Sequence, residues 1–164
     1  MSKHQALQNK IVDLNQLAII VKDLKYSGKS IVFTNGCFDI LHKGHVDYLA
    51  KAADLGDVLI VAVNTDESVR KLGKSNTRPI QDENARLFVL AALSSVDYVL
   101  LFNQDTPLDV IKVLLPDVLV KGADYLPENI VGYNEVVNNG GRVDTIDFIE
   151  GYSTSLIEKK IKNS

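Results

Sequence analysis

Ile31-Val32-Phe33-Thr34-Asn35-Gly36-Cys37-Phe38-Asp39-Ile40-Leu41-His42-Lys43-Gly44-His45 carries the chain from a buried strand into a helix. The apolar run Ile31-Val32-Phe33 reads as the strand, and Val46 to Leu55 reads as the helix. Two histidines, separated by Lys43 and Gly44, therefore sit at the handover. In an α/β sheet that junction lies at the carboxyl end of the strands, where ligands bind. The start of a helix presents unpaired N–H groups and a dipole that favours anions. Histidines placed there suit phosphate better than metal or nucleophilic chemistry. Asn35 and Gly36 add polar contact and space at the strand end, and Gly44 lets a ligand approach the backbone.

The same alternation continues outward from this stretch. Leu14, Leu17, Ala18, Ile20, Val21 and Leu24 recur at helical spacing, which predicts a helix over 13–26. Val58-Leu59-Ile60-Val61-Ala62-Val63 is a continuous β-branched run, as expected of a parallel strand covered on both faces. Thr65-Asp66 caps a short helix to Lys71, and Gly73 to Pro79 reads as a polar, mobile loop. A helix is expected over 82–94 with Ala85, Phe88, Val89 and Ala92 on its apolar side. Further strands are expected at 97–102, 118–121 and 142–149, and further helices after Thr106-Pro107, at 135–139 and at 153–161. The pattern predicts an α/β fold, Rossmann-like and doubly wound, with a mainly parallel five-stranded sheet and helices on both faces. Residues 13–164 are expected to form one domain, with 1–12 as a flexible lead.

Composition narrows the function classes. With 164 residues, 46% hydrophobic and 24% charged, the chain can bury a real core. A net charge of −3 argues against nucleic-acid binding, which needs a basic field. No apolar run reaches the roughly 18 residues that span a membrane, and the N-terminus lacks the apolar core of a signal peptide. The single Cys37 excludes an internal disulfide and has no metal-ligand spacing around it, so no protein-held metal is expected. These features predict a soluble cytoplasmic protein that acts on neither nucleic acid nor membrane. Ser27-Gly28-Lys29-Ser30 imitates the end of a P-loop, but Asp23 stands where its first glycine belongs, and the segment precedes a strand instead of following one.

Gly36-Cys37-Phe38-Asp39-Ile40-Leu41-His42-Lys43-Gly44-His45 resembles the signature of the HxGH nucleotidyltransferases, which include the cytidylyltransferases. The segments Pro116 to Tyr125 and Ile149 to Lys159 are similar to one branch, the D-glycero-β-D-manno-heptose 1-phosphate adenylyltransferases (ADP-heptose synthase domains). The likeness runs over 13–161. It implies transfer of AMP from ATP to the sugar phosphate, with release of pyrophosphate and with Mg²⁺ carried on the ATP phosphates. Cytidylyl transfer to glycerol 3-phosphate, or nucleotide binding without turnover, are the alternatives. The resemblance implies catalytic roles for His42, His45 and Lys121. It implies nucleotide contacts from Asn35, Gly36, Cys37, Phe38, Gly44, Gly151, Ser153, Thr154 and Ser155. It implies acceptor contacts from Asp39, Asn64, Asp66, Lys74, Arg78, Gly122 and Asp124. From the residues alone, Cys37 and Phe38 also read as core, Asp39 as a backbone anchor, Asp66 as a helix cap and Arg86 as an ion-pair partner. Relatives often carry other residues where Tyr152 and Ser155 stand. The branch makes a precursor of surface glycans such as lipopolysaccharide, so a separate sugar kinase upstream and a homo-oligomer are also implied.

Overall fold

The computed structural model describes residues 1–73 and 77–163. Five strands, β1 (Ile31–Gly36), β2 (Val58–Asn64), β3 (Tyr98–Phe102), β4 (Val118–Gly122) and β5 (Arg142–Ile146), form one sheet in the order β3-β2-β1-β4-β5. Every pairing is parallel. The Rossmann-like, doubly wound sheet expected from the alternation is therefore present. Parallel neighbours cannot be joined by a hairpin, so the chain crosses over through helices between strands. Those helices are α2 (Leu14–Tyr26), α3 (Lys43–Ala53), α4 (Asp66–Lys71), α5 (Glu83–Ala91), α6 (Leu108–Leu114) and α7 (Tyr133–Asn138), preceded by α1 (Lys3–Gln8) and followed by α8 (Thr154–Lys162).

Side chains alternate along each strand and build two cores. Ile31 and Phe33 of β1 join Ile60, Ala62 and Leu119 under α2 and α6, where Leu17, Val21, Ile111 and Leu114 close the layer. Val32 joins Leu59, Val61 and Val120 under α3 and α5, where Leu49, Ala52, Leu87 and Leu90 close the other. Three aspartates fix the register at the amino ends of the strands. Asp57 accepts from the Ser30 amide at 2.9 Å, Asp97 from the Leu59 amide at 2.8 Å and Asp117 from the Ile31 amide at 2.7 Å. The opposite, carboxyl end is left free for loops. Because the chain winds from β1 through β2 to β3 and returns beside β1 as β4, a crevice opens between the carboxyl ends of β1 and β4.

Some boundaries differ from the sequence expectation. Helix α3 begins at Lys43, earlier than Val46, so His42 is its N-cap and His45 lies in its first turn. Strand β5 ends at Ile146. The buried face of α5 is Arg86, Leu87, Leu90 and Ala91, one step round from the apolar side expected of Ala85, Phe88, Val89 and Ala92. Arg86 is the reason: a pattern of apolar residues cannot anticipate that a charged one occupies the core face. Phe88 and Val89 are each 38% exposed, and Phe88 meets the His4 ring at 5.9 Å. Residues 1–12, expected to be a flexible lead, contain α1 and pair with the sheet edge. Val12 donates to the Val99 carbonyl at 3.1 Å, Val99 donates to the Lys10 carbonyl at 2.9 Å, and the Lys10 ammonium reaches the Val96 carbonyl at 2.6 Å. Among the described residues no helix is long and apolar enough to cross a membrane.

These bonds cap the outer edge of β3. Deleting residues 1–12 should therefore lower the free energy of unfolding by about 2–3 kcal/mol, from two or three backbone bonds and the burial of Ile11. Urea titration followed by circular dichroism would measure it, and an unchanged midpoint would show that the segment contributes no stability.

Candidate functional site

The segment between β1 and α3 is folded tightly around its two histidines. Phe38 has φ 48°, a left-handed backbone that costs a non-glycine residue strain and is found disproportionately at functional sites. This conformation turns the Phe38 ring back over Gly36, where a Cβ would lie 2.9 Å from it. The same ring meets His45 edge-on at 5.2 Å. His42 stacks on His45 with ring centroids 3.8 Å apart and planes 21° from parallel. Gly44 is buried beneath them, and a Cβ there would come within 3.1 Å of the His42 ring. Burial pushes the His45 imidazole down to about 4, helped by repulsion from His42 and opposed by the Ile40 carbonyl. Burial also lowers His42. At neutral pH both rings are thus uncharged, each with one N–H to donate. Among the described residues, the buried His42 Nδ1 and Asn35 Oδ1 have no hydrogen-bond partner.

A cavity of about 490 Å³ lies in the crevice, in contact with Asn35, Gly36, Cys37, Phe38, His45 and Asn64. Lys121, Gly122 and Asp124 border it from the end of β4. The ring of Phe148 covers Gly122 so closely that a Cβ there would fall 2.2 Å from it, so only glycine fits without displacing that ring. Tyr48 lines the cavity one helical turn after His45. Its hydroxyl lies 2.8 Å from Thr34 Oγ1, which donates to the Val120 carbonyl at 3.0 Å. This chain ties α3 to β1 and β4 directly under the crevice. Burial pushes the Tyr48 hydroxyl up to about 12 against the Thr34 bond, with the Asp124 charge adding to the rise.

The last helix closes the site from the other side. Ser153 caps α8 by accepting from the Leu156 amide at 3.2 Å, and Thr154 Oγ1 donates to the Ile40 carbonyl at 3.5 Å. The Tyr152 Cβ would lie 3.4 Å from a Cβ at Gly44. Gly151, with φ 82°, makes the turn that brings this helix start beside the histidines. The amino ends of α3 and α8 therefore converge on one spot. Gly151, Ser153, Thr154 and Ser155 stand at this lip and do not line the cavity itself.

Asp39, Asp66 and Arg78, for which acceptor contacts are implied, pair within the protein, as does Arg86. Asp39, 2% exposed, accepts from the Ile80 amide at 2.9 Å and the Gln81 amide at 2.9 Å. Arg78 joins Asp39 at 3.4 Å and Glu158 of α8 at 2.6 Å. Arg86, 1% exposed, donates to the Cys37 carbonyl at 2.8 Å, the Gln81 carbonyl at 3.1 Å and Asp66 Oδ1 at 2.8 Å. Asn64 donates to Ser68 Oγ at 2.8 Å while still bordering the cavity. Asp39, Asp66, Arg78 and Arg86 thus bind three loops and α8 into one rim, and neither Asp39 nor Arg78 touches the cavity. Lys74 lies outside the described residues. Tyr48, Thr34, Tyr125 and Phe148 escaped sequence reading. Only Tyr48 left a signal, its spacing of one helical turn from His45.

The model of the cytidylyltransferase-like family matches residues 33–160. The chain is 53% identical over 156 residues to the bifunctional protein HldE of Citrifermentans bemidjiense, across 95% of this chain and 32% of that protein. It is 56% identical over 153 residues to the protein of the same name from Actinobacillus succinogenes, across 93% of this chain and 32% of that one. It therefore spans about a third of the length of the curated relatives it matches. Among solved structures it is similar to the lipopolysaccharide core biosynthesis protein from Thermoplasma volcanium, with a TM-score of 0.61 and 31% identity over 77% of this chain and 100% of that one. Pantoate-beta-alanine ligase from Francisella tularensis shares the fold at a TM-score of 0.59 and 17% identity, over 93% of this chain and 76% of that one.

Two outcomes follow from the site's electrostatics. Arg86→Ala would leave Asp66 and two carbonyls without their cation, and should cost about 3 kcal/mol of stability in denaturant titration. His45 has a folded value near 4 against an ordinary 6.5, so the unfolded chain binds its proton first. Its contribution to stability should be complete above pH 6.5 and fall by about 2–3 kcal/mol as the pH drops to 4. His45→Gln should flatten that part of the pH–stability curve, and an unchanged slope would refute the assignment.

Proposed function

Because the chain belongs to the cytidylyltransferase-like family of nucleotidyltransferases, we propose that it transfers AMP from ATP to D-glycero-β-D-manno-heptose 1-phosphate, yielding ADP-heptose and pyrophosphate. The observation that carries the reading is the stacked pair of imidazoles at the start of α3, of which His45 lines the crevice that Lys121 also borders. The names of the relatives, a bifunctional HldE protein and a lipopolysaccharide core biosynthesis protein, support the choice of acceptor. So does the Val120-Lys121-Gly122-Ala123-Asp124-Tyr125 segment that ends β4.

An oxygen of the sugar phosphate forms a bond to the α-phosphorus of ATP. The bond from that phosphorus to the bridging oxygen breaks, and its electron pair leaves with pyrophosphate. The attacking oxygen is already ionised at pH 7, so no general base is required. The protein's task is to align two polyanions and to stabilise negative charge as it moves to the leaving group. His42 and His45 donate N–H groups to those phosphates, Lys121 supplies positive charge, and the amino ends of α3 and α8 supply dipoles. The arriving polyanion raises the histidines towards protonation, so binding takes up protons. Among the described residues no group of three or more His, Cys, Asp or Glu side chains could cage a metal ion. In this reading Mg²⁺ arrives on the triphosphate, where it neutralises phosphate charge. The acceptor must come from a reaction that phosphorylates the anomeric oxygen of the sugar. Cytoplasmic activity as a homo-oligomer belongs to the same reading.

Pyrophosphate release should be measured with Mg²⁺, heptose 1-phosphate and either ATP or CTP. The family's description favours CTP as the competing nucleotide. Release with ATP alone supports the proposal, whereas release with CTP alone keeps the mechanism and overturns the nucleotide. His42→Ala and His45→Ala should each lower kcat by about 10²–10³-fold while the protein stays folded. Turnover within a few-fold of wild type in both variants would remove the histidines from the mechanism.

A further inference from the structure

Lys43 stands between the two histidines, at the first position of α3, and is exposed. A cation there opposes the helix dipole, which favours negative charge at that end. No local carboxylate compensates it. Asp47, one turn along the same helix, is taken by Lys51 at 2.7 Å, and among the described residues no ion pair includes Lys43. Instead the Lys43 ammonium lies 5.2 Å from the centre of the Tyr152 ring, within the range of a cation–π contact. Tyr152 immediately precedes Ser153, the cap of α8, and its own Cβ packs against Gly44. The pair therefore bridges the two helix starts that converge on the histidines. An electrostatically unfavourable lysine, held in place by an aromatic ring where two helix amino ends converge, gains a reason if an anion arrives there.

We propose that Lys43 binds the outer phosphates of the nucleoside triphosphate, those that leave as pyrophosphate, and that Tyr152 is its positioning residue. This rests on the nucleotidyl-transfer reading of the same site. His45 lines the cavity and His42 stacks on it, so this pair serves the reacting phosphorus. Lys43 is one residue further out, at the solvent edge, so its charge reaches the trailing end of the polyphosphate. The Tyr152 ring restricts the otherwise mobile lysine side chain and keeps its ammonium at that edge before the ligand binds. An aromatic face does this without neutralising the charge, as a carboxylate would.

The test is calorimetric titration of the folded protein with three probes: Mg²⁺–pyrophosphate, Mg²⁺–ATP and AMP. Lys43→Ala should weaken pyrophosphate and ATP about 10-fold and leave AMP within two-fold, because AMP lacks the outer phosphates. Lys43→Arg should restore most of the loss. Tyr152→Phe keeps the ring and should bind as wild type, while Tyr152→Ala should weaken pyrophosphate about 3-fold. Tyr152→Ala should add nothing further when Lys43 is already alanine, as expected when one residue acts through the other. Unchanged pyrophosphate affinity in Lys43→Ala, or equal weakening of AMP, would overturn the role of Lys43. Additive losses in the double variant would overturn the role of Tyr152. These titrations need no turnover, so a wrong acceptor in the proposed reaction would appear separately, as absent pyrophosphate release by a protein that still binds it.

Discussion

A parallel strand can be joined to its neighbour only by a crossover, and much of this molecule follows from that constraint. Each crossover lays a helix on the sheet, so both faces are covered and the strands can be apolar throughout, as β2 is. The crossovers from β1 to β3 run outward in one direction, and the return through α6 places β4 on the other side of β1. At that reversal the connecting loops diverge, and the crevice between β1 and β4 is what they leave. The site is therefore a product of topology before any catalytic residue is considered. The three aspartates at the amino ends pin the strands from below, so the carboxyl end can be given over to loops without losing register.

Loops above such a crevice need their own support, and here buried cations provide it. Arg86 sits in the core face of α5 and is satisfied by the loop after β1, the start of α4 and the residues before α5. Arg78 links Asp39 to α8 in the same way. Removing a guanidinium from water is costly unless it is paired, and Arg86, with Nε and both terminal nitrogens bonded, holds its partners in a fixed relation. The result is a rim in which the turn bearing His42 and His45, the end of β2 and the start of α8 are mutually positioned. The strained backbone at Phe38 is tolerated because that rim and the Phe38–His45 contact over-determine it.

The fold was legible because its signals are local. Continuous β-branched runs, amphipathic spacing and glycine or proline punctuation identified five strands and the helices between them from neighbours in sequence alone. The apolar pattern of α5 does not reveal its buried face because Arg86 occupies it, and two of the three partners of Arg86, Cys37 and Asp66, lie 49 and 20 residues away. The same limit applied at the rim. Asp39 and Asp66 look like ligand-binding carboxylates at strand ends, yet their partners lie 41 and 20 residues away for Ile80 and Arg86 respectively. Tyr125 and Phe148 meet the cavity from just beyond the ends of β4 and β5, where local pattern does not say which way a side chain turns.

By itself, then, the sequence determined the alternation of strand and helix, the burial of the sheet on both faces and the placing of His42 and His45 at a strand-to-helix turn. Each of these depends on residues adjacent in the chain or one turn apart. Only the tertiary structure decided the strand order, and with it the cavity that Lys121 and His45 both line. It also decided which charges face that cavity and which are spent inside the protein. A charged side chain does not specify its partner locally. That choice is made by desolvation and geometry once distant segments have met, which is why Arg78 turned to Asp39 and Glu158 and Lys43 came to rest on Tyr152.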